Sequence, residues 1–147
     1  MSQPETANAA DFAPIRDLLE AAGLPTGDLE SAHPEFLVIR DGGVVVGAGA
    51  LQIFGPVALL RSMVVAPDRR KHGYGERLVE ALERQAARRQ VRQLVLLTTT
   101  AASFFERAGY RAIERDSAPG ALQETDEFRS LCPSSATCMA KVLAASK

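Results

Sequence analysis

Cysteine, long apolar runs and net charge are all scarce in this sequence, and each scarcity excludes a class of protein. The two cysteines, Cys132 and Cys138, are too few for a disulfide scaffold and fit a reducing compartment. No apolar stretch reaches the roughly 20 residues that span a bilayer. Residues 1–10 lack the basic start and the apolar core of a secretion signal. We therefore expect a cytoplasmic protein with no membrane partner.

The near absence of net charge hides a concentration of cations in the middle of the chain. The formal charge is −1, which argues against nucleic acid as the main partner. Residues 61–92 nevertheless hold nine Arg or Lys against four Asp or Glu, a local charge of +5. A compact basic patch in a near-neutral protein favours a site for one small polyanion over a surface that follows a phosphate backbone. For the arginines beyond residue 76, a solvated helix face is the alternative.

Hydrophobic periodicity predicts an α/β protein of one domain, residues 1–147, with a mixed sheet covered by helices. Apolar residues at three- and four-residue spacing predict a helix over 11–24 capped by Asp11, a helix of roughly four turns after residue 75, and a helix over about 101–107. Runs rich in Val, Ile and Leu predict strands at 35–40, 44–54, 57–66, 94–97, 110–114 and 137–143. Asp41-Gly42-Gly43, between the first two strands, is typical of a hairpin turn.

The loop between the third strand and the longest helix is the main candidate for a binding site. It reads Arg70-Lys71-His72-Gly73-Tyr74-Gly75. The first N–H groups of a helix have no partner within the helix and lie at the positive end of its dipole, so they form an anion site. Glycines remove Cβ bulk and let a phosphate approach the backbone. We therefore expect main-chain N–H groups to hold the ligand and the side chains to tune its affinity.

The spacing of this loop excludes two nucleotide motifs. A Walker loop needs Gly-Lys-Ser/Thr after four spacers, and a dinucleotide fingerprint needs a third glycine where this chain has Leu78. A basic turn without any ligand remains the alternative, because Gly-rich turns are common.

Three segments resemble the GCN5-related N-acetyltransferase (GNAT) superfamily. Arg70-x-x-Gly73-x-Gly75, with the strand at 60–65 and Pro67 before it, resembles the acyl-CoA signature of that superfamily. Residues 98–110, TTTAASFFERAGY, are similar to its second helix motif, with the usual aromatic-to-glycine spacing. Residues 128–139, FRSLCPSSATCM, resemble the members found with arsenic-resistance genes, which include acetyltransferases for the amino group of arsinothricin and related glutamate mimics.

The resemblance implies a central, mostly antiparallel twisted sheet flanked by helices, and acetyl-CoA as co-substrate. It places the diphosphate on the N–H groups of residues 72–76 and the pantetheine arm along residues 63–65. The cofactor-binding residues that it implies are Met63, Val64, Val65, Arg70, Lys71, His72, Gly73, Tyr74, Gly75, Glu76, Thr98 and Phe105.

The sequence departs from the superfamily in its catalytic groups. Many relatives place a tyrosine four residues before the helix-ending glycine, as general acid for the leaving thiol, but this chain has Phe105. The strand at 57–66 also carries no carboxylate, where relatives often hold the base. Neither the acid nor the base is therefore assigned. The lone histidines, His33 and His72, receive no catalytic role.

The candidate substrate-binding residues are Arg61, Ser62, Ser130, Cys132 and Ser134. An arginine in an apolar strand needs an anionic partner, which is either a substrate carboxylate or an internal salt bridge. Neighbouring strand residues face opposite ways, so we expect only one of Arg61 and Ser62 to face the acetyl group. The Ser-rich segment offers small donors to a carboxylate, phosphinate or arsonate, or it is an ordinary turn.

The two cysteines do not have the spacing of a zinc site, and no metal is expected. They are six residues apart and no histidine follows them. Two thiols could bind trivalent arsenic. Cys138, however, alternates with Ala136 and Ala140 on one strand face, which is typical of a packed core thiol.

Together these features predict an acetyl-CoA-dependent N-acetyltransferase in which a small amino-acid-like amine attacks the thioester directly. Arsinothricin or phosphinothricin is the specific acceptor expected, with glutamate or another small amine as the alternative. Two other functions stay open: a non-catalytic module that binds acyl-CoA, and an arsenite-binding protein that uses Cys132 and Cys138. A homodimer is a further expectation.

Overall fold

The Val-, Ile- and Leu-rich runs pair into one sheet in the computed structural model, which describes residues 3–133 and 135–143. Within those residues the strands are β1 (Glu5–Thr6), β2 (Glu35–Asp41), β3 (Val44–Phe54), β4 (Val57–Val65), β5 (Gln93–Thr98), β6 (Arg111–Ala112) and β7 (Thr137–Val142). Their order is β1-β2-β3-β4-β5-β7-β6. All neighbours are antiparallel except β4 and β5, which are parallel. The predicted mixed, mostly antiparallel sheet is confirmed.

Helices cover both faces of the sheet. They are α1 (Phe12–Ala21), α2 (Leu29–Ala32), α3 (Tyr74–Arg88), α4 (Ala102–Arg107) and α5 (Gly120–Gln123). On one face Ile15 and Leu19 of α1 pack against Val38. On the other face Leu78 and Leu82 of α3 pack against Leu51. None of the helices in the described residues is both long and apolar enough to span a membrane.

The hairpin between β2 and β3 follows the predicted turn chemistry. Asp41 pairs with Val44, so Gly42 and Gly43 form a two-residue loop. Both glycines are left-handed, with φ of +60° and +83°. Two consecutive left-handed residues give the turn whose twist matches a pair of antiparallel strands, and glycine adopts that conformation without steric cost.

A bulge in β4 interrupts its pairing with β3. Ala50 pairs with Arg61 and Ala48 pairs with Val64, so two residues of β4 lie opposite Gly49. One of the two is Ser62, which is left-handed with φ of +57°. A Cβ on Gly49 would overlap Met63 Sδ and lie 2.7 Å from Leu82 Cδ1, so the missing side chain makes room for Met63 beneath the sheet.

The strands β4 and β5 separate after Leu59, before the chain of β4 reaches the bulge. Among the described residues they pair from Val57 and Gln93 to Leu59 and Val95, and no further. Within the part of the chain that the structure describes, the backbone edge of residues 60–65 that faces β5 is therefore without a strand partner; we refer to it as the free edge of β4. The gap between the two strands is where a ligand can enter the sheet.

Two expectations for local structure were wrong. Asp11 does not cap α1; its carboxylate accepts hydrogen bonds from Arg40 at 2.6 and 2.7 Å and from the N–H of Asn8 at 2.8 Å. Asn8 caps the 3-10 turn Ala9–Asp11, which precedes α1. The strand predicted at 110–114 is limited to Arg111–Ala112. This short strand lies at the edge of the sheet and pairs with β7 alone among the described strands.

The segment between β6 and β7 has no clear periodicity in the sequence, yet it is well packed. It contains α5 and one turn of π-helix at Glu127–Leu131. Leu122 and Phe128 are buried against Leu59 of β4. Arg115 donates hydrogen bonds of 2.9 Å to the carbonyl oxygens of Phe128 and Pro133. These contacts hold the π-helical turn against β4.

Candidate active site

A cleft of about 990 Å³ opens where β4 and β5 separate. Its walls are the free edge of β4, the loop before α3, the end of β5 with the start of α4, and the segment around the π-helical turn. The chain after α1, at residues 22–25, also lines the cleft. The volume falls within the range of small-molecule sites.

The N-terminus of α3 opens onto this cleft. Gly73 precedes the helix with φ of +80°, and no side chain of the described residues caps the helix start. The first hydrogen bond of the helix runs from Arg77 N–H to the Gly73 carbonyl, at 3.1 Å. The N–H groups of residues 74–76 therefore lack partners within the helix, and the residues that carry them line the cleft. This geometry is that of an anion-binding helix end.

The two glycines of the loop are needed for different structural reasons. Gly73 needs its left-handed conformation, and a Cβ there would meet nothing closer than Glu76 Oε2 at 3.7 Å. A Cβ on Gly75 would instead lie 3.2 Å from two ring carbons of Phe104. The expectation that both glycines make room for a phosphate therefore needs correction at Gly75, because Phe104 of α4 already occupies that space.

The cations of the loop divide into anchored and exposed groups. Arg69 binds Asp41 of the hairpin at 2.9 Å and its neighbour Asp68 at 2.8 Å. Arg70 donates through Nε to the Val65 carbonyl at 3.0 Å. The side chain of Lys71 is exposed, and its backbone is left-handed with φ of +69°. The loop is thus fixed to β4 and to the hairpin, while Arg70 and Lys71 remain at the rim of the cleft.

Arg61 of β4 lies on the wall of the cleft with its side chain fully buried. Its guanidinium donates two hydrogen bonds to Asp28, at 2.6 and 2.7 Å, and one to Gln52 Oε1 at 3.0 Å. The structure therefore supplies the internal salt bridge that the sequence left open. A bidentate pair of this kind holds the chain before α2 against β4.

Glu127 of the π-helical turn is a second carboxylate beside Arg61. One of its oxygens lies 3.2 Å from Arg61 Nη2, the residue is 4% exposed, and it lines the cleft. Burial raises the pKa of Glu127 and the charge of Asp28 raises it further, against the opposing charge of Arg61. Sequence reasoning missed Glu127. The signal in the sequence was Arg61 itself, because an arginine in an apolar strand needs an anionic partner. That partner comes from the segment that packs on the strand face of Leu59.

The chain is similar to known proteins over more than half of its length. Residues 32–112 match the family model described as the acetyltransferase (GNAT) domain. The chain belongs to this family. An amino-acid acetyltransferase from Aeromonas salmonicida is 29% identical over 126 residues, which are 80% of this chain and 28% of that relative. The chain thus spans little more than a quarter of the length of the curated relative.

Solved structures show the same fold. N-acetylglutamate synthase from Neisseria gonorrhoeae, complexed with coenzyme A and N-acetyl-glutamate, superposes with a TM-score of 0.84 at 22% identity, over 98% of this chain and 35% of that chain. Rv2747 from Mycobacterium tuberculosis, in complex with CoA, has a TM-score of 0.79 at 26% identity, over 96% of this chain and 99% of that chain. The GNAT acetyltransferase fold predicted from the three motifs is confirmed.

The cleft of this GNAT domain brings together the predicted cofactor residues with one exception. Met63, Val64, Val65, Arg70, Lys71, Gly73, Tyr74, Gly75, Glu76, Thr98 and Phe105 all line it, and His72 does not. Thr98 already accepts a hydrogen bond from the Ala101 N–H at 3.0 Å through its hydroxyl. The assignment of these residues to a cofactor stays a prediction.

The predicted substrate residues of the GNAT domain are more scattered. Arg61, Ser62 and Cys132 line the cleft, whereas Ser130 is exposed outside it. Ser134 lies outside the described residues. The expectation that Arg61 and Ser62 face opposite ways was wrong, because Arg61 Nε donates to Ser62 Oγ at 3.2 Å. The left-handed Ser62 in the bulge breaks the alternation that an ordinary strand imposes.

Phe105 occupies the position where many GNAT relatives have a tyrosine. Its ring is buried and makes edge-to-face contacts with Phe104 and Tyr110, with centroids 5.0 and 5.5 Å apart. Tyr110 does not replace the missing hydroxyl, since its own hydroxyl donates to Glu83 at 2.9 Å. Phe105 is therefore a packing residue on the wall of the cleft.

The two cysteines occupy different environments. Cys138 is buried in β7 among Leu59, Val95 and Leu122, which confirms the packed core thiol. Cys132 follows the π-helical turn and is partly exposed at the cleft. Burial, together with the neighbouring charge of Glu127, raises the pKa of Cys132 to about 12. Cys132 is thus a neutral thiol at physiological pH.

Proposed function

We propose that this GNAT domain, acting as one domain over residues 1–147, transfers the acetyl group of acetyl-CoA to the amino group of a small amino acid. The observation that carries the proposal is the uncapped start of α3, which opens onto the same cleft as the free edge of β4. A ligand that fits both features has a diphosphate at one end and a peptide-like arm at the other. Coenzyme A has this chemistry.

The diphosphate would be held mainly by the backbone. A hydrogen bond from an N–H group to a charged oxygen contributes about 1.5–3 kcal/mol, and the start of α3 offers the N–H groups of residues 74–76. The helix dipole adds about 0.3–2 kcal/mol. Arg70 and Lys71, which line the same cleft, would meet further phosphate oxygens. The amides of the pantetheine arm would pair with the free edge of β4 as an added strand.

The same edge would activate the thioester. A main-chain N–H of Val64 or Val65 would stabilise the oxyanion that forms when the amine attacks the carbonyl. Because Phe105 has no proton to give, CoA would leave as a thiolate. For a thiol of pKa about 8.5 this costs roughly 2 kcal/mol near pH 7, which does not prevent turnover.

The proposed acceptor is an acidic α-amino acid, with glutamate first. The curated relatives are named amino-acid acetyltransferases, and the Neisseria enzyme is an N-acetylglutamate synthase. Phosphinothricin and arsinothricin are the finer candidates, because the segment at 128–139 resembles the arsenic-associated members and both compounds mimic glutamate. On that reading the protein contributes to arsenic resistance.

The experiment is thiol release from acetyl-CoA by the purified chain, with L-glutamate, phosphinothricin, arsinothricin and spermidine as separate acceptors. Release that depends on an acidic amino acid, with the N-acetyl product seen by mass spectrometry, supports the proposal. Release with spermidine alone would overturn the amino-acid acceptor. An absence of release with every amine, in a chain that binds CoA by calorimetry, would instead support the non-catalytic module that the missing tyrosine at Phe105 favours.

A further inference from the structure

We infer that Glu127 is the group that binds the ammonium of the acceptor and takes its proton. The inference rests on the acetyl transfer proposed above and assigns the base that the sequence left open. Glu127 is nine-tenths or more buried, yet it lines the cleft together with Met63 and Val64 of the free edge of β4. A group at this place meets the acceptor where the thioester would lie.

The charges around Glu127 favour a cationic ligand. Arg61 contributes one positive charge, and Asp28 takes two of its hydrogen bonds. Glu127 shares the same guanidinium at 3.2 Å, so the buried cluster has two carboxylates for one cation. With both carboxylates ionised, the cluster of Arg61, Asp28 and Glu127 carries a net charge of −1. An alkylammonium supplies the missing positive charge, whereas a substrate carboxylate at this position would be repelled.

The other polar groups near Glu127 do not remove this charge. Cys132 is hydrogen-bonded to Glu127 as a neutral thiol, and Gln52 and Ser62 accept hydrogen bonds from Arg61 without adding charge. Arg115 keeps its positive charge, which lowers the pKa of Cys132, but it directs its hydrogen bonds to the carbonyl oxygens of Phe128, Cys132 and Pro133 and not to Glu127. Glu127 is therefore the carboxylate of the cluster that is left for the acceptor.

Two other carboxylates, Glu76 and Asp28, are less suited to accept the proton of the acceptor. Glu76 lies in the first turn of α3, where the diphosphate would bind. Asp28 is a partner of Arg61 and is absent from the walls of the cleft. Burial raises the pKa of Glu127, and a carboxylate with a raised pKa is a better proton acceptor near neutral pH than an exposed one.

The proton transfers balance as follows. The acceptor enters as R–NH3⁺ and gives one proton to the Glu127 carboxylate, which frees the nitrogen lone pair. That lone pair forms the N–C bond to the thioester carbonyl, the C–S bond breaks, and CoA leaves as the thiolate. The second nitrogen proton passes through water to the thiolate. The products are the amide and the CoA thiol, and Glu127 returns its proton to solvent.

The test compares the full chain with Glu127→Gln, Glu127→Asp and the control Glu124→Gln, which changes an exposed glutamate of the same segment. We expect Glu127→Gln to lower kcat/KM for the acceptor at least 100-fold, to leave the Kd of CoA within about twofold, and to remove the acid limb of the pH profile. Glu127→Asp should keep that limb with a smaller loss. Glu124→Gln should match the wild type.

Each outcome decides between the two claims. The role of Glu127 alone is overturned if Glu127→Gln keeps the rate of thiol release within about threefold of wild type. It is also overturned if Glu127→Gln lowers that rate strongly but keeps the acid limb of the pH profile. A wild type that releases no thiol with any amine overturns the proposed acetyl transfer and this inference with it. If urea unfolding shows that Glu127→Gln does not fold, Glu127→Asp and the wild-type pH profile test the role of Glu127 instead. A wild-type profile without an acid limb contradicts the inference.

Discussion

The guanidinium of Arg61 makes two parallel hydrogen bonds to the carboxylate of Asp28, at 2.6 and 2.7 Å, across 33 positions of the sequence. This pair joins the chain between α1 and β2 to the bulged part of β4. It also sets the charge that Glu127 meets at the wall of the cleft. One buried contact thus connects the packing of the domain to the chemistry proposed for it.

We predict that Arg61→Met lowers the free energy of unfolding by about 3–5 kcal/mol, because it leaves two buried carboxylates without a counter-charge. The matched control is Arg129→Met, whose side chain is 66% exposed and lies 3.6 Å from an exposed Glu124; it should cost about 0–1 kcal/mol. Urea unfolding measures both. If Arg61→Met keeps wild-type stability and only raises KM for carboxylated acceptors, Arg61 is a substrate-binding residue after all.

Gly73→Asp should abolish CoA binding, because it places a carboxylate at the start of α3 where the diphosphate would lie. Gly73→Ala separates charge from strain: both variants carry the cost of a left-handed residue, about 1–2 kcal/mol, but alanine adds no charge. We expect a loss in affinity of at least 100-fold for aspartate and under about tenfold for alanine. The loss is measurable because each of the three N–H groups of residues 74–76 contributes about 1.5–3 kcal/mol to phosphate binding. Gly120→Asp, exposed outside the cleft, is the control. Wild-type affinity of Gly73→Asp by calorimetry would contradict the site.

Gly49→Ala should destabilise the domain by about 1–3 kcal/mol, because the new methyl group would overlap Met63 and Leu82. Gly27→Ala is the control, since a Cβ there would meet nothing within 4 Å. The double variant Gly49→Ala with Met63→Ala should recover part of the loss by removing one of the two clashes. Equal unfolding midpoints for Gly49→Ala and Gly27→Ala would show that β4 is not packed as described.

The ion pair of Asp11 and Arg40 should make stability depend on pH in the acid range. Hydrogen bonds from Arg40 lower the pKa of Asp11 in the folded protein, so the pair stabilises the fold above the unfolded pKa of about 4 and this contribution is lost as the pH falls below it. The difference in unfolding free energy between wild type and Asp11→Asn should therefore shrink from pH 6 to about pH 2.5. Asp17→Asn, an exposed site on α1, should show a small and constant difference. If the difference in unfolding free energy between wild type and Asp11→Asn does not change with pH, the ionisation of Asp11 does not contribute to stability as described.

Cys132 should resist alkylation although it is partly exposed. With its pKa raised to about 12, its thiolate fraction at pH 8 is on the order of 1,000-fold below that of a free thiol of pKa about 8.5. Mass spectrometry after iodoacetamide treatment should show slow labelling of the folded chain and ordinary labelling in urea. Fast labelling of folded wild type that Cys132→Ser abolishes would show a reactive thiol at the cleft.

Local features of the sequence determined much of the fold. The tandem glycines of the hairpin, the apolar stripe of α3 and the strand-loop-helix order around Gly73 each depend on backbone preferences within a few residues of one another. Such preferences act before any tertiary contact forms, so they can be read from one stretch of chain. For this reason the sequence alone predicts a binding loop at residues 70–76.

The tertiary structure alone decided the other wall of the cleft. Arg61, Asp28 and Glu127 come from three distant segments, and which carboxylate reaches the arginine depends on how the aperiodic segment before β7 packs on Leu59. The bulge at Ser62 likewise depends on Gly49 of the neighbouring strand, and Phe104 occupies space beside Gly75 from another helix. Contacts of this kind are set by packing across the sheet, for which the spacing of residues along the chain carries no signal.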